Sequence, residues 1–85
     1  MPEISRFLGI VIGMFYRDHE PPHFDAVYRD YEITVGIDDG IVTGKFPRRA
    51  FGHVLEWYQA HREELCQNCE LAKAGKPLRP IAPLE

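Results

Sequence analysis

The segment RDHEPPHFDAVYRD, residues 17–30, holds the side chains best suited to chemistry: His19, His23 and Asp25. Two imidazoles and a carboxylate so close together suit a borderline divalent metal such as zinc. They suit general acid–base catalysis equally well, because a histidine titrates near neutral pH and a carboxylate can orient it. The same three residues are therefore the candidates for both roles. Residues two apart on a strand point the same way, so His23 and Asp25 project together if this stretch is extended. Pro21 and Pro22 restrict how the loop carrying His19 approaches that strand. The plain alternative is a solvated patch on an open sheet face, beside a polar loop.

Positioning these groups requires a sheet. Residues 8–16, LGIVIGMFY, are rich in β-branched and aromatic residues and too short for a helix. They read as one strand, with Gly9 and Gly13 on one face. HFDAVYRD and YEITVGI read as two strands meeting near Arg29 and Asp30. That register places Tyr28 opposite Tyr31, Ala26 opposite Ile33 and Phe24 opposite Val35 on the core face. His23, Asp25 and Val27 then share the other face with Glu32, Thr34 and Gly36. Asp39-Gly40 fits a two-residue type I′ turn pairing Ile37 with Val42. It puts Ile33, Val35, Ile37, Val42 and Phe46 on the core face. The expected fold is α+β: a four-stranded antiparallel meander within 8–46, then a helix over about 47–74.

Pro47 suits the first turn of that helix. Phe51, Leu55, Tyr58, Arg62, Leu65, Cys69 and Ala72 follow at helical spacing, an apolar stripe interrupted at Arg62. Gly75 and Pro77 stop it. An unbroken helix would run about 40 Å, at about 1.5 Å per residue, longer than a small sheet can cover. The helix must break near His61 and Arg62, or another chain must cover its far half. The second option makes Leu65 and Cys69 part of a partner or self-association surface. The tail, 76–85, is expected to lie extended over the surface.

The 85 residues suffice for a single domain, 1–85. Hydrophobic residues make up 45% and charged residues 27%, which argues against disorder. The net charge of −3 disfavours non-specific nucleic-acid binding. The run from Leu8 to Tyr16 is too short to span a bilayer, and no signal-peptide pattern precedes it. Two cysteines make no disulfide framework, so a cytoplasmic setting with reduced thiols is expected.

Cys66 and Cys69 have the spacing of a redox pair but fall deep inside the helical stripe. A reactive pair belongs at a helix N-terminus, where the dipole lowers the thiol pKa. Packing is the better account of them. Lys45, Arg48 and Arg49 put positive charge at the helix start, against the dipole, as would suit an acidic partner or a phosphate. His53 and His61 read as ordinary helix-surface residues.

Three stretches, MPEISRFLGIVIGMFYRDHEPPHFDAVY, RRAFGHVLEWYQAHREEL and AGKPLRPIAPL, together resemble the bacterial domain-of-unknown-function family 4160. The resemblance covers nearly the whole chain. The family's central segment usually reads His-x-Pro-Pro-His-Phe-His; here Asp25 takes the last position, and a carboxylate can replace imidazole as ligand or base. The family often has tryptophan where Cys69 stands, which implies packing. Its members are often encoded beside a second uncharacterised family, number 2442, an arrangement that resembles a two-gene, toxin–antitoxin-like module. The resemblance thus implies a partner-binding protein, its partner that second family or another copy of the chain. The residues of the central segment suggest instead a metal-assisted or acid–base hydrolase or nuclease, working through His19, His23 and Asp25.

Overall fold

The computed structural model describes residues 2–16 and 21–85. His19, with its neighbours 17, 18 and 20, lies outside the described residues. Five strands come first: β1 (Glu3–Phe7), β2 (Ile10–Gly13), β3 (His23–Tyr28), β4 (Tyr31–Gly36) and β5 (Val42–Lys45). Two helices follow, α1 (Arg48–Ala60) and α2 (Arg62–Lys73). The strands form one antiparallel sheet in the order β1-β2-β3-β4-β5, so the meander expectation holds, with an extra strand.

The extra strand comes from the stretch expected to be a single strand. Phe7 pairs with Ile10, and the two residues between them both have positive φ, 51° at Leu8 and 79° at Gly9. That is the backbone of a type I′ hairpin turn. Gly9 therefore turns the chain rather than packing on a strand face, and EISRF becomes a strand of its own.

The β3–β4 register is the expected one, pair by pair, from His23 opposite Gly36 to Tyr28 opposite Tyr31. The β4–β5 connection differs. Val42 pairs with Val35 rather than Ile37, and Gly36 N–H donates to Ile41 O at 2.8 Å. The loop thus spans 37–40. Ile37 leaves the β5 ladder because its backbone is used elsewhere: its N–H donates to Pro22 O at 2.9 Å, and its C=O accepts the Tyr58 hydroxyl at 2.6 Å. The shift is by two residues, an even number, so every side chain keeps its face. Val42 and Phe46 still pack against the core.

The helices cover one face of the sheet. Phe24, Ala26, Ile33, Val35 and Ile37 are buried against Ala50, Val54, Trp57 and Tyr58 of α1 and against Leu65, Cys69 and Ala72 of α2. In α1 the buried face is turned from the expected stripe, leaving Phe51 and Leu55 half-buried. Trp57 accounts for the turn. It is fully buried between Phe7 and Phe24, with ring centroids at 5.5 and 5.7 Å, and the helix faces inward along it.

The helix breaks at His61, the first of the two expected outcomes. The longest dimension of the molecule is 34 Å, whereas a straight helix over 48–73 would need about 39 Å at about 1.5 Å per residue. His61 has φ −122° and ψ 25°, and its N–H is shared between Trp57 O and Tyr58 O at 3.0 and 3.3 Å. Arg62 holds the bend by donating to Asp38 O at 2.9 Å. As a result Leu65 and Cys69, expected at a partner surface, are buried in the chain's own core.

The tail is extended, as expected, but it is also anchored. The Asn68 amide donates to Arg79 O at 2.8 Å and accepts Arg79 N–H at 2.9 Å. Trp57 Nε1 donates to Ala82 O at 2.9 Å, and Ile81 N–H donates to Ile4 O of β1 at 2.8 Å. No helix among the described residues is long and apolar enough to cross a membrane.

Candidate functional site

The face of the sheet away from the helices carries the candidate site. Strand alternation sends His23 and Asp25 of β3 out on this side, with Cα atoms about 6.8 Å apart at about 3.4 Å per residue. Thr34 lies opposite Asp25, and Thr43 lies opposite Thr34. On the other flank Asp25 faces Gly13 of β2, which offers no side chain. The result is a pocket of about 540 Å³, walled by His23, Asp25, Glu32, Thr34, Asp39 and Thr43, with Phe15, Pro21 and Ile41 also lining it.

Asp25 sets the character of this pocket. Only 5% of the residue is exposed. Oδ1 accepts a hydrogen bond from the Thr34 hydroxyl at 3.0 Å. Oδ2 is buried and has no hydrogen-bond partner among the described residues. Buried carboxylates are ordinarily paired or hydrogen-bonded at both oxygens, because desolvating one without compensation costs several kcal/mol. The same lack of a partner occurs at the Ser5 hydroxyl on the inner face, where the group is neutral and the cost is smaller, about 1–3 kcal/mol.

His23 opens β3, and its Nδ1 lies 2.8 Å from Pro21 O. A carbonyl oxygen only accepts, so Nδ1 carries the hydrogen and Nε2 is the acceptor nitrogen of the neutral ring. The diproline segment thus does more than steer the loop: Pro21 fixes the tautomer of His23.

Asp39 was expected only as a turn residue. Its Oδ1 accepts Ile41 N–H at 3.0 Å, an Asx-type turn bond. The same bend lays its carboxylate over Gly36, where a Cβ would collide with Oδ1. The signal was present in the outward-facing Gly36, whose lack of a side chain reads in sequence only as open room. Phe15, Ile41 and Thr43 had no sequence signal tied to the site.

His23 and Asp25 are thus brought together, and His19 lies outside the described residues. Among the described residues no group of three or more His, Cys, Asp or Glu side chains converges as a metal site would require. His23 and Asp25 would supply two zinc ligands from this wall, fewer than the three or four of ordinary zinc sites.

The match to known families falls on this same segment. The family model described as Domain of unknown function (DUF4160) covers residues 9–70. The chain belongs to this family. In this DUF4160 chain the matched region takes in β2 to β5, α1 and most of α2, so the whole pocket lies inside it. No curated protein and no solved structure matches the chain.

The other residues expected to act are dispersed. Lys45, Arg48 and Arg49 are exposed at the β5–α1 corner. Lys45 lines a separate groove of about 490 Å³ whose walls include Tyr31, Val42, Phe46 and Phe51, whereas Arg49 lines a smaller one with Leu8, Tyr28 and His53. Cys66 is exposed and Cys69 is buried, and burial pushes the Cys69 thiol up from its ordinary pKa. A redox pair needs the opposite shift.

Proposed function

We propose that this DUF4160 chain works through the outer-face pocket and is an acid–base or metal-assisted hydrolase. The observation that carries the reading is the buried Asp25 carboxylate, whose Oδ2 has no partner among the described residues, in a pocket shared with His23. A fold has no structural reason to retain such a group, and strained or unsatisfied polar groups concentrate at functional sites. In this reading Nε2 of His23 takes the proton from an attacking water as the new bond to the substrate forms. It then returns that proton to the leaving group as the old bond breaks. Asp25 holds and orients the substrate. If a divalent metal takes part, His23 and Asp25 are its ligands from this wall, with His19 the candidate third.

The test is a turnover screen on chromogenic esters, amides and phosphodiesters, run with added zinc and with chelator. Loss of general acid–base catalysis typically costs about 10²–10⁴-fold in rate, so His23→Gln should reduce any turnover by at least that lower bound. Turnover by His23→Gln at the wild-type rate, or none by the wild type across the panel, defeats the reading.

A second reading retains the partner-binding role at a different place. β5 is an edge strand of the sheet, Lys45 lines its apolar groove, and Arg48 and Arg49 are exposed at the start of α1 that follows. A partner with an acidic surface would dock there, and the small protein of family 2442 is the candidate to test. Co-purification of the two proteins, lost on reversing the charge of Arg48 and Arg49, would support it.

A further inference from the structure

We infer that the outer-face pocket binds an organic cation, with a guanidinium or alkylammonium group seated against Asp25 Oδ2. The inference rests on the reading of this pocket as the working site and adds the class of molecule it takes.

The charge of the walls gives the sign of the ligand. Asp25, Glu32 and Asp39 all line the pocket, and no lysine or arginine lines it among the described residues. Lys45 stands opposite Glu32 in the ladder and shares the outer face with it, but it lines a different groove and not this pocket. A phosphate or carboxylate ligand would meet three carboxylates and no lysine or arginine among the described lining residues.

Asp25 gives the anchor. The Thr34 hydroxyl holds Oδ1 and so fixes the plane of the carboxylate, while Oδ2 remains without a donor. A charge-assisted N–H···O bond is about twice as strong as a neutral one, and an acceptor already stripped of water loses no hydration when the bond forms. Guanidinium is the better fit, because it is more weakly hydrated than ammonium and enters a desolvated site at lower cost.

The rim and the volume suit a ligand larger than a bare ion. Phe15 and Ile41 line the pocket with 44% and 64% of their surfaces exposed, an apolar ledge beside the carboxylates. Small organic ligands occupy pockets of roughly 300–1,000 Å³, and this one falls inside that range. A hard divalent cation requires about six oxygen ligands, and the described residues do not converge even three candidate groups. The ligand is therefore a cation with an apolar body: the head on Asp25, the body on Phe15 and Ile41.

Calorimetry and amide NMR on the full chain test this with butylguanidinium, butylammonium, inorganic phosphate and zinc as probes. Butylguanidinium should bind saturably, shift the Asp25, Thr34 and Ile41 amides, and weaken as salt is added. Butylammonium should bind more weakly at the same site, and phosphate should not bind. Asp25→Asn should lower the guanidinium affinity at least tenfold, and the exposed Glu32→Gln about two- to threefold, which covers the case in which Asp25→Asn does not fold. Saturable guanidinium binding by a wild type that turns over none of the substrates leaves the inference standing, which separates it from the hydrolytic reading. No saturable guanidinium binding at millimolar concentration overturns it. So does equal binding by folded Asp25→Asn, or zinc binding at these amides with no effect from either organic cation.

Discussion

The two faces of the sheet treat buried polar groups differently. On the inner face Trp57, Tyr58 and Asn68 are each largely or wholly buried, and each finds its partner: Ala82 O, Ile37 O and the Arg79 backbone. On the outer face Asp25 is buried nearly as deeply, yet half of its carboxylate has none. These three inner groups are neutral, donate or accept in fixed directions, and tie separate segments together; the one inner exception, the Ser5 hydroxyl, is neutral and lacks a partner at smaller cost. The outer group is a potential charge beside open space. An inner polar group stabilises through the bond it makes, whereas Asp25 is retained at a cost to stability and is explained by what enters the pocket.

The largest effect should come from the inner face. Trp57→Ala removes the largest fully buried side chain among the described residues and the donor to Ala82, and urea unfolding should show a loss of about 3–5 kcal/mol. Asn68→Leu keeps the bulk but leaves the Arg79 N–H and C=O without their partner. It should cost about 1–3 kcal/mol, with faster amide exchange at Arg79 and Ile81. Tyr58→Phe deletes only the bond to Ile37 O and should cost about 1 kcal/mol. The outer face should respond in the opposite sense. Asp25→Asn should leave unfolding free energy unchanged or raise it by up to about 1 kcal/mol, because a buried group without compensation is being neutralised. A loss of 3 kcal/mol there would end the contrast and make Asp25 a structural residue.

The smallest effect is one of pH. Burial raises the Cys69 thiol, so the folded chain holds that proton more tightly than the unfolded chain does. The unfolded thiol releases it from about pH 8.5 upward. The stabilisation from Cys69 is therefore complete below that pH and is lost as pH rises toward the higher folded value. Cys69→Ser should flatten the alkaline decline in unfolding free energy, and thiol reagents should modify Cys66 well before Cys69.

Strand alternation was enough to read the site's central geometry. From His23 to Gly36 the pairing follows from side-chain period and the Arg29-Asp30 turn, so His23, Asp25 and Thr34 could be assigned to one face from sequence alone. What escaped was set by contacts distant in the chain. Leu8-Gly9 looks like strand interior until both residues take positive φ. Asp39-Gly40 looks like a two-residue turn, because the demands of Pro22 and Tyr58 on the Ile37 backbone have no local signature. The burial of Leu65 and Cys69 depended on whether the helix bends at His61. Length alone narrowed that to two outcomes, and tertiary packing decided between them.

The anchoring of the tail bears on the order of assembly. Trp57 and Asn68 are synthesised well before Arg79 to Ala82, the segment that satisfies them, and Ile81 reaches back to Ile4 across nearly the whole chain. While a ribosome is still adding those residues, both helices hold polar groups that must stay wet. Contacts of such wide sequence separation form late and slow the approach to the native state. A nascent chain that stops short of Arg79 should therefore hold its helices only loosely on the sheet and be the species that chaperones and proteases meet first.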